Sequence, residues 1–365
     1  MLRLISRILV GMVFIFSGFV KGIDPLGTMF KIEDYFIAYG TKWAMPLSLS
    51  LSIILCIVEF TIGVFLILNI KPKLISWLLF MAMSAFLIIT LFDALYNPVP
   101  DCGCFGDAVV LSNWQTFNKN LVLMVFVLII LVTQQISDPF LSIKKQNITA
   151  IILLFFFSSF TIYASKNLPI IDFREWKVGQ DLTPNATIKP KTYLIYKNQQ
   201  TGEEKEMLSH ELPWNDSVWM SQWKFIDQCV DHSLVTRSHE LQIIDNDEND
   251  ITDFFIGNPD YQFILISYDL SKANNHVFQK INDFFLHAED DSYSFILLTN
   301  ATNEEINKFK ATHLIDYEIY NADDTVLKTI IRSNPGLLLL KDGVIINKWH
   351  YRNFPEYISL KKMTR

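Results

Sequence analysis

The sequence predicts a membrane-embedded, all-α helical bundle followed by an α/β domain. Three observations predict it. Half of the 365 residues are hydrophobic and mean hydropathy is +0.25; the apolar residues crowd into Met1–Ala164, while acidic residues gather after Asp172. The first stretch holds five runs that are apolar all round, as lipid-embedded helices are. After Tyr261, short apolar runs of strand type alternate with segments of helical spacing, the pattern of an α/β layer.

Leu4–Val20 follows Arg3 and Arg7 and resembles a signal peptide. It lacks an Ala-x-Ala-like cleavage site and more spans follow, so it is expected to stay as the first helix. Asp24-Pro25 is a turn signal. Phe30, Tyr35, Phe36 and Tyr39, set among charges in Lys21–Met45, predict a short interfacial amphipathic helix. Further spans are expected at Pro46–Ile70, Leu74–Leu95, Leu121–Ile136 and Ile148–Ala164. If the spans alternate, Arg3, Arg7, Lys71, Lys73, Lys144 and Lys145 all share one face. The positive-inside rule makes that face cytoplasmic. The expected location is a bacterial inner membrane, with the amino terminus cytoplasmic and everything after Ala164 periplasmic. The expected units are 1–140, a four-helix membrane domain; 141–166, a fifth span; 167–257, a linker and small β-rich region; and 258–365, the α/β domain.

Ser165 to about Pro190 reads as a tether. Lys191–Lys197 alternates as a strand and Thr201-Gly202 as a turn. Trp214, Trp219 and Trp223 predict a small core. Asp245–Asp250 lacks the central Gly and closing Glu of a calcium loop and reads as a solvated turn. Beyond it come strands at Phe263–Tyr268 and Tyr293–Leu298, helices at Asn275–His287, Glu304–Thr312 and Val326–Arg332, and a strand at Gly336–Leu340. Asp342-Gly343 turns into Val344–Trp349, and Pro355–Lys361 closes as a helix.

The chemistry centres on Asp101-Cys-Gly-Cys-Phe-Gly-Asp107, between two apolar runs. It holds two of the four cysteines, Cys102 and Cys104. A Cys-x-Cys disulfide closes a very small ring, and strained or exposed disulfides are the labile, oxidising ones. Gly103 and Gly106 permit the backbone such a ring needs. The pair is expected oxidised at rest, exposed and easily reduced. The flanking carboxylates Asp101 and Asp107 are expected to raise the thiol pKa values and slow attack by the reduced form. A static loop staple, or two free thiols, is the alternative. No metal site is expected, since zinc wants four ligands and no second Cys or His pair lies nearby. Cys56 reads as a small buried apolar residue and Cys229 as a free thiol. Glu59 lies mid-span and is a functional candidate, or a neutral acid bonded across helices to Ser or Thr. Lys21 and Asp93, near span ends, are expected to snorkel or cap. A net charge of −7 argues against nucleic acid as a partner.

Phe16-Ser-Gly-Phe-Val-Lys-Gly-Ile-Asp-Pro25, Glu59 and Cys102-Gly-Cys-Phe-Gly106 make the membrane half resemble the DoxX and methylamine-utilisation MauE families. That resemblance implies a four-helix bundle tied to periplasmic disulfide formation and partner maturation. The order of elements after Asn258, with Ser333-Asn-Pro-Gly336 as a cis-proline loop, resembles a thioredoxin-like domain. Its Cys-x-x-Cys is missing: Ser271-Lys-Ala-Asn274 stands there. The resemblance implies a binding groove at Ser271, Asn274, Asn334 and Pro335.

Two functions are expected. In one, Cys102 and Cys104 take electrons from a dithiol on a periplasmic or exported protein. A quinone in the bundle is one acceptor for them, although no quinone motif is legible. In the other, a non-catalytic membrane scaffold binds its client through the degenerate domain.

Overall fold

The computed structural model describes residues 1–133, 141–183, 191–199, 201–208, 219, 222–231, 240–245 and 249–361, with backbone alone at 191–195, 206, 208 and 227–231. Expectations for Trp214, the Cys229 side chain and the middle of the acidic run lie outside the described residues, as does the fourth span beyond residue 133.

Five helices are long and apolar enough to cross a membrane. They are α1 (Leu2–Ile23), α3 (Ser48–Leu68, extended by a 3-10 turn from Lys42), α4 (Pro72–Tyr96), α5 (Asn113–Val132) and α6 (Ile143–Ala164). The shorter α2 (Pro25–Ala38) forms within the stretch where a short helix was expected; Asp24 caps it by accepting from Gly27 N, with Pro25 at its first position. The fourth span starts eight residues before its expected Leu121. Ser112 and Gln115 form a capping box there, which gives the polar first turn its hydrogen bonds.

α1 and α3 meet backbone to backbone. A Cβ on Gly18 would lie 2.4 Å from Phe60 N, so only glycine allows the approach. Small residues let helices close in this way inside lipid, where apolar side chains gain nothing by leaving the bilayer. At the far end Arg7 is buried and donates from Nε to the Leu66 carbonyl at 2.9 Å and from Nη2 to that of Ile67 at 3.0 Å. It thereby satisfies the open carbonyls at the end of α3. Lys71 N, at the start of α4, donates to Gln146 Oε1 of α6 at 2.9 Å. The helix ends that carry the basic residues therefore gather on one face.

The second half holds two sheets. The strands of the smaller are β1 (Lys191–Asn198), β2 (Glu204–Leu208) and β3 (Trp223–Asp231), in the order β2-β1-β3. Trp219 stacks on Trp223 and tilts against Tyr196, the small core expected of these tryptophans.

The larger sheet has five strands: β4 (Tyr261–Ile266), β5 (Ser294–Thr299), β6 (Glu318–Asn321), β7 (Gly336–Lys341) and β8 (Val344–His350). Their order is β6-β5-β4-β7-β8. β4, β5 and β6 run parallel, while β7 and β8 are antiparallel. β6 was not expected, because its four residues carry only a partial apolar alternation. Side chains of one sheet face bury against the helices Phe278–Asp290, Asn303–His313 and Tyr357–Lys361.

The other face is covered by Leu327, Ile330 and Ile331 and also by segments from outside 258–365. Trp176, Leu182, Leu241, Ile243, Phe255 and Ile256 pack there on Ile264, Ile266 and Leu338. The stretch expected as a tether is thus part of the core. It is fastened by Asp172, whose carboxylate meets Arg174 at 2.7 Å and Lys348 at 2.9 Å.

Candidate functional site

The Cys loop lies at the end of the bundle opposite the basic turns. Gly103 and Gly106 both have positive φ, 62° and 51°, as the tight loop requires. Cys102 and Cys104 are free thiols with their Sγ atoms 2.7 Å apart. Both are half-buried, not exposed as expected, because α1, α2 and α5 enclose the loop. Phe105 packs on Phe16 of α1, and Lys119 of α5 places its Nζ 4.3 Å from the Phe105 ring centre. Lys31 of α2 lies along Gly103.

The flanking carboxylates act differently from the expectation. Asp101 is bound to Lys31 at 2.7 Å and accepts from Gly103 N. Asp107 is bound to Arg332 at 3.1 Å. Their charge is spent on these partners, and the charges facing Cys104 include two lysines. The hydrogen bond from the Cys102 thiol, then Lys119 and Lys21, outweigh burial and hold Cys104 down at about 6. Cys102 is pushed up by the same hydrogen bond and by burial. In the reduced pair the thiolate is therefore favoured on Cys104 and the shared proton on Cys102.

Glu59 lies on α3, directly below the loop. Lys21 Nζ is 2.8 and 2.9 Å from its two oxygens, and both residues are buried. Lys21 does not snorkel: the close approach at Gly18 places it against Glu59, and the buried acid carries a matched cation. The Ser17 hydroxyl is 2.7 Å from Glu59 Oε2 and 2.7 Å from the Cys104 carbonyl oxygen. One hydroxyl thus links the ion pair to the Cys loop. Asp93 does not cap with its side chain; it is fully buried and accepts from the Tyr35 hydroxyl at 2.6 Å. Cys56 is buried, as expected.

Beneath the loop the bundle encloses a cavity of about 460 Å³. Its walls include Phe14, Tyr35, Phe36, Leu55, Met83 and Phe86. Cys102, Cys104, Lys21, Glu59 and Lys119 line it as well.

Arg332 joins the two halves. It is 4% exposed. Its Nε donates to Asp24 Oδ2 at 2.8 Å, and its Nη2 reaches Asp107. The guanidinium also lies 5.3 Å from the Phe30 ring, and Phe30 packs edge-on to Tyr268. Burial alone would raise Asp24, but Arg332 and Arg174 hold it below the ordinary carboxylate range. Burial does raise Asp107, in spite of Arg332. A basic residue immediately before Ser333-Asn334-Pro335 was the signal in the sequence. Its carboxylate partners lie more than two hundred residues away and could not be read.

The bond before Pro335 is cis. Asn274 N donates to the Asn334 carbonyl at 3.2 Å, and Asn334 Nδ2 donates to the Asp269 carbonyl at 2.7 Å. Asn274 and Asn334 line an open groove of about 500 Å³, to which Lys166 and Leu26 of the membrane half also contribute. The other two expected groove residues are elsewhere. Pro335 is buried behind Asn334. Ser271 turns to Asp269, whose Oδ1 accepts from its hydroxyl at 2.6 Å.

These features define a multi-pass membrane protein with a dithiol at one end of its bundle and an α/β domain clamped over it. Residues 1–133 match the model of the family described as methylamine utilisation protein MauE, so the membrane half is MauE-like. No curated protein and no solved structure matches the chain.

Proposed function

We propose that this chain is a thiol–disulfide exchange protein of the bacterial inner membrane, with its amino terminus in the cytoplasm and residues 165–365 in the periplasm. On this reading the second half is a thioredoxin-like domain that binds and does not exchange. It holds an extended segment of an exported protein in the groove beside Asn274 and Asn334, by edge pairing of the kind used for extended peptides. The Cys102–Cys104 disulfide then accepts the client's two thiol electrons. A client thiolate attacks one sulfur, a mixed disulfide forms, and the client's second thiol releases it. The client leaves oxidised, and Cys104 is the thiolate left behind. The family description, a methylamine utilisation protein, supports a client that serves that process.

The observation that carries this reading is Arg332. One buried guanidinium lines the groove and also binds Asp107, three residues beyond Cys104. A non-catalytic scaffold is favoured by one feature, the absence of thiols at Ser271 and Asn274. Acid trapping and alkylation in cells separates the two. Exchange requires that the Cys102–Cys104 pair be found in both redox forms and shift on oxidant depletion; a pair locked in one form under both conditions supports the scaffold. A reporter fused after Arg365 should be active only outside the cytoplasm.

A further inference from the structure

The cavity below the loop bears on where the electrons go next. We infer that it binds the head group of a lipid-soluble quinone, which reoxidises the Cys102–Cys104 dithiol; this rests on the exchange reading above.

Four observations lead there. First, the cavity lies among the spans. Between its wall residues Val13 and Lys21, α1 runs about 12 Å along its axis at 1.5 Å per residue, so much of the wall is membrane-spanning helix, which suits a lipid-soluble ligand. Second, its volume of about 460 Å³ falls in the range of small-molecule sites, about 300–1,000 Å³. Aromatic walls at Phe14, Phe36, Phe86 and Phe105 suit a flat ring. Third, the polar groups gather at the end where the thiols are. Lys119 lines the cavity there and makes no ion pair among the described residues. Its ammonium is a donor for a ring oxygen. Fourth, both cysteines line the same cavity, so the reducing atoms border the ligand.

The chemistry balances. Oxidation of the reduced pair, the Cys102 thiol and the Cys104 thiolate, breaks one S–H bond, forms one S–S bond, and releases two electrons and one proton. A quinone takes both electrons, that proton and a second one from water, matching the proton Cys104 gave up on ionising, and becomes the quinol with two new O–H bonds. Lys119 and Lys21, both cations in the wall, face the negative charge that develops on the ring oxygens before those protons arrive.

The test uses the full chain in detergent micelles, reduced and desalted, with ubiquinone-1 and menadione as separate probes. The expected result is conversion of one equivalent of quinone to quinol per chain, read by absorbance, as the Cys102–Cys104 disulfide appears by mass. Cys102→Ser/Cys104→Ser should bind the probe as wild type does but reduce none. Leu55→Trp and Ile89→Trp each fill the cavity from a different wall. Whichever variant folds should bind at least tenfold less probe, while Cys104 alkylation stays unchanged. The inference is overturned if wild type and the double Ser variant retain no more probe than empty micelles, even if the pair cycles in cells. A co-purifying acyl chain that neither probe displaces overturns it equally. Probe bound in the cavity but never reduced overturns the electron path instead, leaving the ligand class standing.

Discussion

The two halves of this molecule carry different features, which on the proposed reading are complementary parts of one task. The bundle has two adjacent thiols and a cavity walled by spans, but no sheet edge to hold a chain. The α/β domain has a groove and a cis-proline loop, but no thiol at Ser271 or Asn274 beside them. Their polar anchors differ too. Lys21–Glu59 is sealed between two helices at 6% and 4% side-chain exposure, whereas the Arg332 cluster is sealed on the arginine side and reaches solvent at Asp107, 38% exposed. The first cluster holds one helix pair together; the second holds one domain on another. On the proposed reading, separation of binding from exchange therefore depends on this joint, whose arginine comes from the α/β half.

The largest effect is expected at the thiols. Cys102→Ser/Cys104→Ser should abolish oxidation of an exported client while the protein still inserts and accumulates, measured by client redox state and by membrane abundance. Full activity at normal abundance would leave the bundle without its half of the task, and low abundance with activity retained would mark a staple.

Next is the sealed pair. Glu59→Ala leaves Lys21 charged and alone, a loss of about 3–5 kcal/mol for a broken buried pair. Glu59→Gln keeps hydrogen bonding and loses the charge, so it should fall between Ala and wild type. A combined Lys21→Met/Glu59→Met chain should recover stability, since matched apolar replacement of a buried pair is often neutral. Thermal aggregation of solubilised protein ranks the four; equal behaviour of Ala and wild type would remove the pair from the account.

The joint comes third. Arg332→Ala should cost about 1.5–3 kcal/mol, the range for hydrogen bonds to charged groups, and should act on docking more than on folding of either half. Arg332→Lys should rescue little, because one ammonium cannot span two carboxylates as the planar guanidinium does. Limited proteolysis after Ala164 should speed up in both variants while the two fragments stay intact.

A smaller effect concerns pH. With Cys104 held at about 6, against about 8.5 for an ordinary thiol, the reduced pair should alkylate at nearly full rate at pH 7. It should slow only as pH falls through about 6, where the thiolate takes up its proton. Lys119→Ala removes one favourable charge and should move that midpoint upward. A midpoint near the ordinary value in the wild type would return the pair to a passive acceptor. The smallest effect is expected at Lys197→Ala: its 2.8 Å bridge to Glu204 joins side chains 50% and 56% exposed, and such pairs contribute about 0–1 kcal/mol.

Much of this was legible from sequence because its signals are local. Lipid demands long apolar helices with internally satisfied backbone, so the spans, the basic turns and the interfacial helix announce themselves within windows of about twenty residues. The strand and helix periods of the α/β domain, its cis-proline loop and the glycine-rich dithiol loop are local too. The rest depends on neighbours far apart in the chain. Nothing near Lys21 tells that Gly18 lets α3 come close enough to place Glu59 on it. Asp101 and Asp107 looked like repulsive neighbours of the thiols until Lys31 and Arg332 were seen to bind them. Trp176 and Leu182 read as linker until the sheet they cover was in place. Hydrophobic period and turn chemistry were thus set by the sequence alone. Which charges meet, and which thiol donates to the other, was decided only by the tertiary structure, because Coulomb energy depends on distance and on burial, and neither is written along the chain.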